Sequence, residues 1–240
     1  MDGVRHRWDL TPAEARALQE TLRAQARYEP LDLGQVRLVA GCDVSYNRFS
    51  PDLYVGVVVL SWPDLTVVER VGLRAQASFP YVPGLLSFRE LPPLLAAWER
   101  LRARPDVLLC DGHGLAHPRR CGLACHAGLW LDLPTIGCAK SLLLGTADTP
   151  ADEPGAGAPV VDGQETIGWA LRTRAGARPV YVSVGHRCRL EDAVALVVAA
   201  GQGYRLPDPT RLAHGFVNEL RGGASVLACE SRGLPDHLDE

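Results

Sequence analysis

The chain has 240 residues, of which 47% are hydrophobic and 22% charged, with a net charge of -3. That composition excludes a disordered tail, a collagen-like repeat and a disulfide-stapled miniprotein, and it supplies enough apolar residue for one full domain. No apolar run reaches the ~20 residues that span a bilayer, and the first residues lack the apolar core of a secretion signal, so a cytoplasmic protein is expected.

Thr11-Pro12-Ala13-Glu14 reads as a capping box opening a helix, with Leu18, Leu22 and Ala26 on its apolar side and an end by Pro30. Residues 1–30 then form a helical extension. Three apolar runs follow, 36–46, 53–62 and 65–76, joined by short connections that favour an antiparallel meander. Helical spacing returns over 88–104, and VLLCD at 107–111 reads as a short buried strand ending in a carboxylate. Residues 112–120 read as a loop, 121–131 as a helix and 134–139 as a strand. The Gly, Pro, Ala and Asp of 145–162 predict a flexible loop. Residues 165–172 and 179–184 can pair as a hairpin, 190–200 reads as a helix, and Asp208-Pro209 starts another that runs to about Arg221 and is closed by Gly222-Gly223. The last residues, 223–240, are expected to fray as a tail. No domain boundary is evident. A meander followed by alternating helices and strands predicts one α/β domain with a mixed central sheet flanked by helices.

Three features carry chemistry. Asp43 sits deep in an apolar strand and Asp111 ends another; buried carboxylates are costly unless hydrogen-bonded or bound to a cation. If the strands are neighbours, the two acids suggest a hard-cation site, which Glu90, near a helix start, could close. Such a site suits phosphodiester hydrolysis. The plain alternatives are a structural Asp43 and a turn role for Asp111. Second, 24 of the 25 basic residues are Arg, and Lys140 is the single lysine. A compact ammonium, as opposed to a planar fork, fits a crowded phosphate site. Third, Tyr81 stands between Pro80 and Val82-Pro83-Gly84, which hold the ring at low entropic cost.

These residues resemble the endonuclease V family, deoxyinosine-specific nucleases. The resemblance runs through GCDVSY at 41–46, PYVPGLLSFRE at 80–90, the long block 111–145, RPVYVSVGHRCRLEDAVALV at 178–197 and YRLPDPTRLAHGFVN at 204–218. It implies a ribonuclease H-like fold. It implies that Asp43, Asp111 and Glu90 bind Mg2+, with Mn2+ as a substitute, that Lys140 contacts the phosphate or steadies the leaving group, and that His214 orients or deprotonates the attacking water or contacts the metal through a water. It further implies that Tyr81, with Pro83, is a strand-separating wedge. Gly84, Leu86, Gly112, Leu123 and Gly137 would line a pocket for the extruded base. His117 would sit near the DNA, and Arg119 and Arg120 would contact phosphates. The implied partner is deoxyinosine-containing DNA, with inosine RNA as the alternative, acted on by a monomer with no protein partner.

Three competing readings remain in the same residues. Cys110, His113, His117, Cys121, Cys125 and His126 have spacings that invite zinc, although no CxxC pair is present. Cys110 beside Asp111 and near His113 could be a nucleophile, but a thiol inside an apolar strand reads more simply as packing. A non-cleaving inosine-binding module would not need three clustered acids, whose repulsion costs stability without a cation.

Overall fold

The computed structural model describes residues 3–47, 50–224 and 230–231. The expected meander is present. Strands β1 (Leu38–Ser45), β2 (Asp52–Ser61) and β3 (Val67–Gln76) pair antiparallel in sequence order. A helix, α2 (Leu86–Trp98), then crosses to β4 (Val107–Cys110), which pairs parallel with β1. After α3 (Leu123–Leu131), β5 (Thr135–Ala139) pairs parallel with β4. The order β3-β2-β1-β4-β5 is the ribonuclease H-like arrangement expected. Beyond β5 the sheet continues antiparallel through β8 (Val180–His186), β7 (Glu165–Leu171) and β6 (Gly157–Asp162). A two-residue strand, β9 (Glu230–Ser231), pairs with β3 at the opposite edge; the rest of the expected C-terminal tail beyond Ala224 lies outside the described residues.

Alternation along the central strands loads both faces. Val39, Val58, Leu109 and Ile136 face α4 (Leu190–Ala199) and α5 (Asp208–Arg221), with Leu196, Val197, Phe216 and Leu220 against them. Ala40, Cys42, Val57, Val59, Leu108 and Cys110 face α2 and α3. Leu91 and Leu94 of α2 are fully buried there, and each such side chain stabilises by roughly 1.5–3 kcal/mol. A sheet covered on both sides explains why the strands read as continuous apolar runs.

The helix α1 (Pro12–Arg23) carries the expected Thr11–Glu14 capping box. Its inner face differs from expectation: Ala15, Gln19 and Leu22 are buried, while Ala26 falls beyond the helix end. A buried glutamine was missed because its partners come from distant residues. The helix expected over 88–104 begins two residues earlier and stops at Trp98, despite Pro92 and Pro93 within it. The loop expected over 145–162 is also corrected. Thr146 bridges to Val161, and residues 157–162 are strand β6, paired with β7. Gly and Pro content masked an edge strand that takes its order from its partner. No helix among the described residues is long and apolar enough to cross a membrane.

Helix α5 lies unusually close to the meander. A Cβ added to Gly41 on β1 would sit 2.0 Å from the Pro209 carbonyl oxygen. Added at Gly56 on β2 it would meet Val217 and Phe216, and at Gly72 on β3 Leu220 and Phe216. Gly56 and Gly72 are paired in register. Three glycines on adjacent strands thus open a track in which α5 rests.

Candidate active site

The parallel pairing of β1 and β4 places Cys42 opposite Cys110, so the next residue on each strand, Asp43 and Asp111, emerges at the same end of the sheet. The Asp111 amide still donates to the Cys42 carbonyl, at 3.3 Å. Alternation turns Asp43 towards the α5 face, where the glycine track brings His214 within reach. The His214 Nδ1–H donates to Asp43 Oδ2 at 2.7 Å, and Asn218, one turn on, donates its amide to His214 Nε2 at 3.2 Å. Lys140, just past β5, donates to Asp111 Oδ2. Asp43, Glu90, Asp111, Lys140 and His214 line one cleft of about 420 Å³.

This cleft is crowded with negative charge. Burial first, and then Asp111, push the Asp43 carboxyl above the ordinary carboxylate range, against the opposing pull of His214 and Lys140. Burial pushes Glu90 well above it, reinforced by Asp43 and Asp111. Ligand atoms of Asp43, Asp111 and His214 all lie within 4.8 Å of one another. Glu90 faces the same cleft but is not part of that closest set. Hard oxygen donors that repel one another fit a divalent cation, which would relieve the repulsion.

A second cavity, about 210 Å³, adjoins the first and shares Leu86, Gly112, His113 and Ser141 with it. Tyr81, Pro83, Gly84 and Leu123 are among its other walls. Tyr81 is 62% exposed, a large aromatic ring held in solvent. Gly84 adopts φ 76°, a conformation that favours glycine.

His117, which is part of the pocket wall, Arg119 and Arg120 also hold partners within the fold, and Gly137 lies outside the pocket. His117 is buried, donates Nε2–H to the Gly84 carbonyl at 3.0 Å, and accepts the Arg119 amide at 3.2 Å. Burial pushes its pKa down to about 4, so it stays neutral. Arg119 donates to the same Gly84 carbonyl and to Gln19 Oε1, both at 2.6 Å. Together they brace the loop that carries Tyr81. Arg120 is held between Asp162 and Glu165, at 2.7 and 2.8 Å, so its charge is already matched. Gly137 is buried in β5 and does not line the pocket; a Cβ there would meet the backbone of Gly112 and Gly114 within 2.7 Å, so it lets that loop sit on the sheet.

Sequence reasoning missed Gln19, Ser141, Asn218 and Arg205. Arg205 donates to the Lys140 carbonyl at 2.6 Å and to the Pro179 carbonyl at 2.9 Å, pinning the backbone under the lone lysine. No sequence signal distinguishes it from the other arginines. The zinc set is not assembled among the described residues. His126 is fully enclosed, bonded to Ser87 and His6, with burial lowering its pKa to about 3. Cys110 packs at 0% exposure in the core.

The endonuclease V family model matches residues 19–215. The chain belongs to the endonuclease V family. Endonuclease V of Roseiflexus castenholzii is 51% identical over 216 residues, covering 90% of this chain and 96% of that protein. The crystal structure of endonuclease V from Streptomyces avermitilis matches with a TM-score of 0.86 at 41% identity, covering 91% of this chain and 96% of that one. Endonuclease V of Ciona intestinalis, crystallised with DNA containing an inosine followed by a ribo-adenosine, matches with a TM-score of 0.77 at 28% identity, covering 88% and 97%. As a member of the endonuclease V family the chain is a nuclease.

Proposed function

We propose that this nuclease recognises deoxyinosine in DNA and, with a divalent cation, hydrolyses the second phosphodiester bond on the 3′ side, leaving 3′-hydroxyl and 5′-phosphate ends. The observation that carries the reading is the continuity of the two cavities through Leu86, Gly112, His113 and Ser141. A base turned into the smaller cavity leaves its own backbone running into the acidic cleft. The inosine-containing DNA held by the Ciona relative supports the same choice of substrate.

Asp43, Asp111 and Glu90 would hold Mg2+, or Mn2+ in its place. When bound, the cation supplies an activated water and neutralises charge building on the phosphate. His214 holds the Asp43 carboxylate in one orientation, and Asn218 fixes the ring's tautomer by donating to Nε2. Lys140, seated by Arg205, offers a point charge to the phosphate or the departing oxygen. Tyr81 fills the gap left in the stack, and its rigid loop keeps the entropic cost low. The pocket's glycines let main-chain groups approach the base edge. Hypoxanthine offers a keto oxygen where adenine has an amine, and it lacks guanine's exocyclic amine. Its weaker pairing lowers the cost of extrusion.

The test is nicking of matched inosine-DNA and inosine-RNA strands with and without Mg2+. Metal-dependent cutting of DNA at the second bond is expected. Preferential cutting of the RNA strand would reassign the substrate, and a mobility shift without any cut would retire hydrolysis.

A further inference from the structure

A third cavity, about 690 Å³, is larger than the pocket and the cleft and has no role in the scheme above. It shares Tyr81 with the base pocket and Tyr46 with the cleft. Its other walls include Phe79, Pro80, Ser78 and Arg89. Arg89 is 9% exposed, and its Cζ lies 5.2 Å from the centre of the Tyr46 ring. One guanidinium nitrogen donates to the Phe79 carbonyl at 2.8 Å; Nε has no hydrogen-bond partner. Glu90, the next residue in the chain, feels the charge of Arg89. A buried guanidinium nitrogen left without a hydrogen-bond partner is costly, and an arriving anion would supply one.

The cavity's position says which anion. The lesion strand occupies the base pocket and the cleft, which are joined by four residues. The third cavity lies beyond the wedge and meets the pocket only at Tyr81. A ring inserted into a duplex has the partner strand on its far side. We propose that this cavity receives a nucleotide of the strand opposite the lesion, its phosphate drawn to Arg89 and its base laid against Tyr46. The proposal rests on the endonuclease reading above.

Ser78 is exposed on the rim, so Ser78→Trp fills the cavity without disturbing the core. The full-length chain with Mg2+ is assayed on one inosine oligonucleotide, single-stranded and annealed to its complement. Duplex nicking is expected to fall by about tenfold, the scale of one lost base stack, while single-strand nicking stays unchanged. Equal losses on both substrates would place the lesion strand in the cavity and overturn the proposal, as would no loss on either. In a second variant, Arg89→Gln, the salt slope of duplex binding should shrink by about one, the signature of one lost phosphate contact. An unchanged slope would remove Arg89 from the proposal. A wild-type chain that cut neither inosine substrate would overturn the nuclease reading itself.

Discussion

The acidic cleft and the base pocket share a wall, yet they are built on opposite principles. The cleft gathers Asp43, Glu90 and Asp111 at the ends of buried elements, where burial and mutual repulsion hold two of the carboxyls above their ordinary range. The pocket is shaped by backbone, and its bracing side chains are satisfied: His117 is neutral, and Arg119 and Gln19 are bonded to each other. The cleft therefore stores unfavourable electrostatics that a cation can release, whereas the pocket stores order. Changes in the cleft should cost activity and spare the fold; changes in the pocket should cost recognition through geometry.

The largest effect should come from Asp43→Ala or Asp111→Ala. Nicking rates with Mg2+ should fall by on the order of a thousandfold, equivalent to about 4 kcal/mol of transition-state stabilisation, with inosine-duplex affinity in a mobility-shift assay largely retained. Wild-type rates in either variant would erase the contrast. On the pocket side, Tyr81→Ala should weaken inosine-duplex affinity by roughly ten- to a hundredfold, as one lost stacking platform does. Its ring is exposed, so Tm should not move. An unchanged affinity would end the wedge assignment. Gly84→Ala forces a side chain into a left-handed conformation costing about 1–2 kcal/mol and sets it 2.9 Å from Arg119 Nη2. Affinity for inosine duplex should drop about tenfold while cutting of saturated substrate stays near normal; a loss confined to the cutting step would show that the loop serves the cleft.

The smallest effect is the most diagnostic of stored repulsion. Folded-state pKa values of Asp43 and Glu90 are raised, so the folded protein takes up protons more readily than the unfolded chain. Their contribution favours folding at acidic pH and is lost as pH rises through the folded-state values. In metal-free buffer Glu90→Gln should raise Tm by about 2–4 °C at pH 7.5, the shift expected for about 1 kcal/mol in a chain of this size. The gain should shrink as pH falls and protonation of wild-type Glu90 removes its charge. Mg2+ should stabilise wild type more at pH 7.5 than at pH 5. A Tm that ignored both would deny the repulsion.

Much of this was legible because it is local or periodic. The meander, the capping box, the strand ends at Asp43 and Asp111 and the singular Lys140 all declare themselves in the chain. The lysine meets Asp111 in the acidic cleft. What stayed hidden depends on distant partners. Arg119 and Arg120 look alike in sequence, but one braces a carbonyl thirty-five residues away in the chain and the other is held by two acids of the β6–β7 hairpin. Residues 157–162 gain their order from pairing with β7 and from the bridge of Val161 to Thr146.

The track of glycines under α5 has a wider bearing. A methyl group grafted onto Gly41 would collide with the Pro209 carbonyl at 2.0 Å, and the rod carrying the imidazole would have to lift off its bed. Such a change touches no ligand, no lesion and no phosphate. It would nonetheless slacken the grip of His214 on Asp43, so a lesson about catalysis is written in an atom that the protein leaves out.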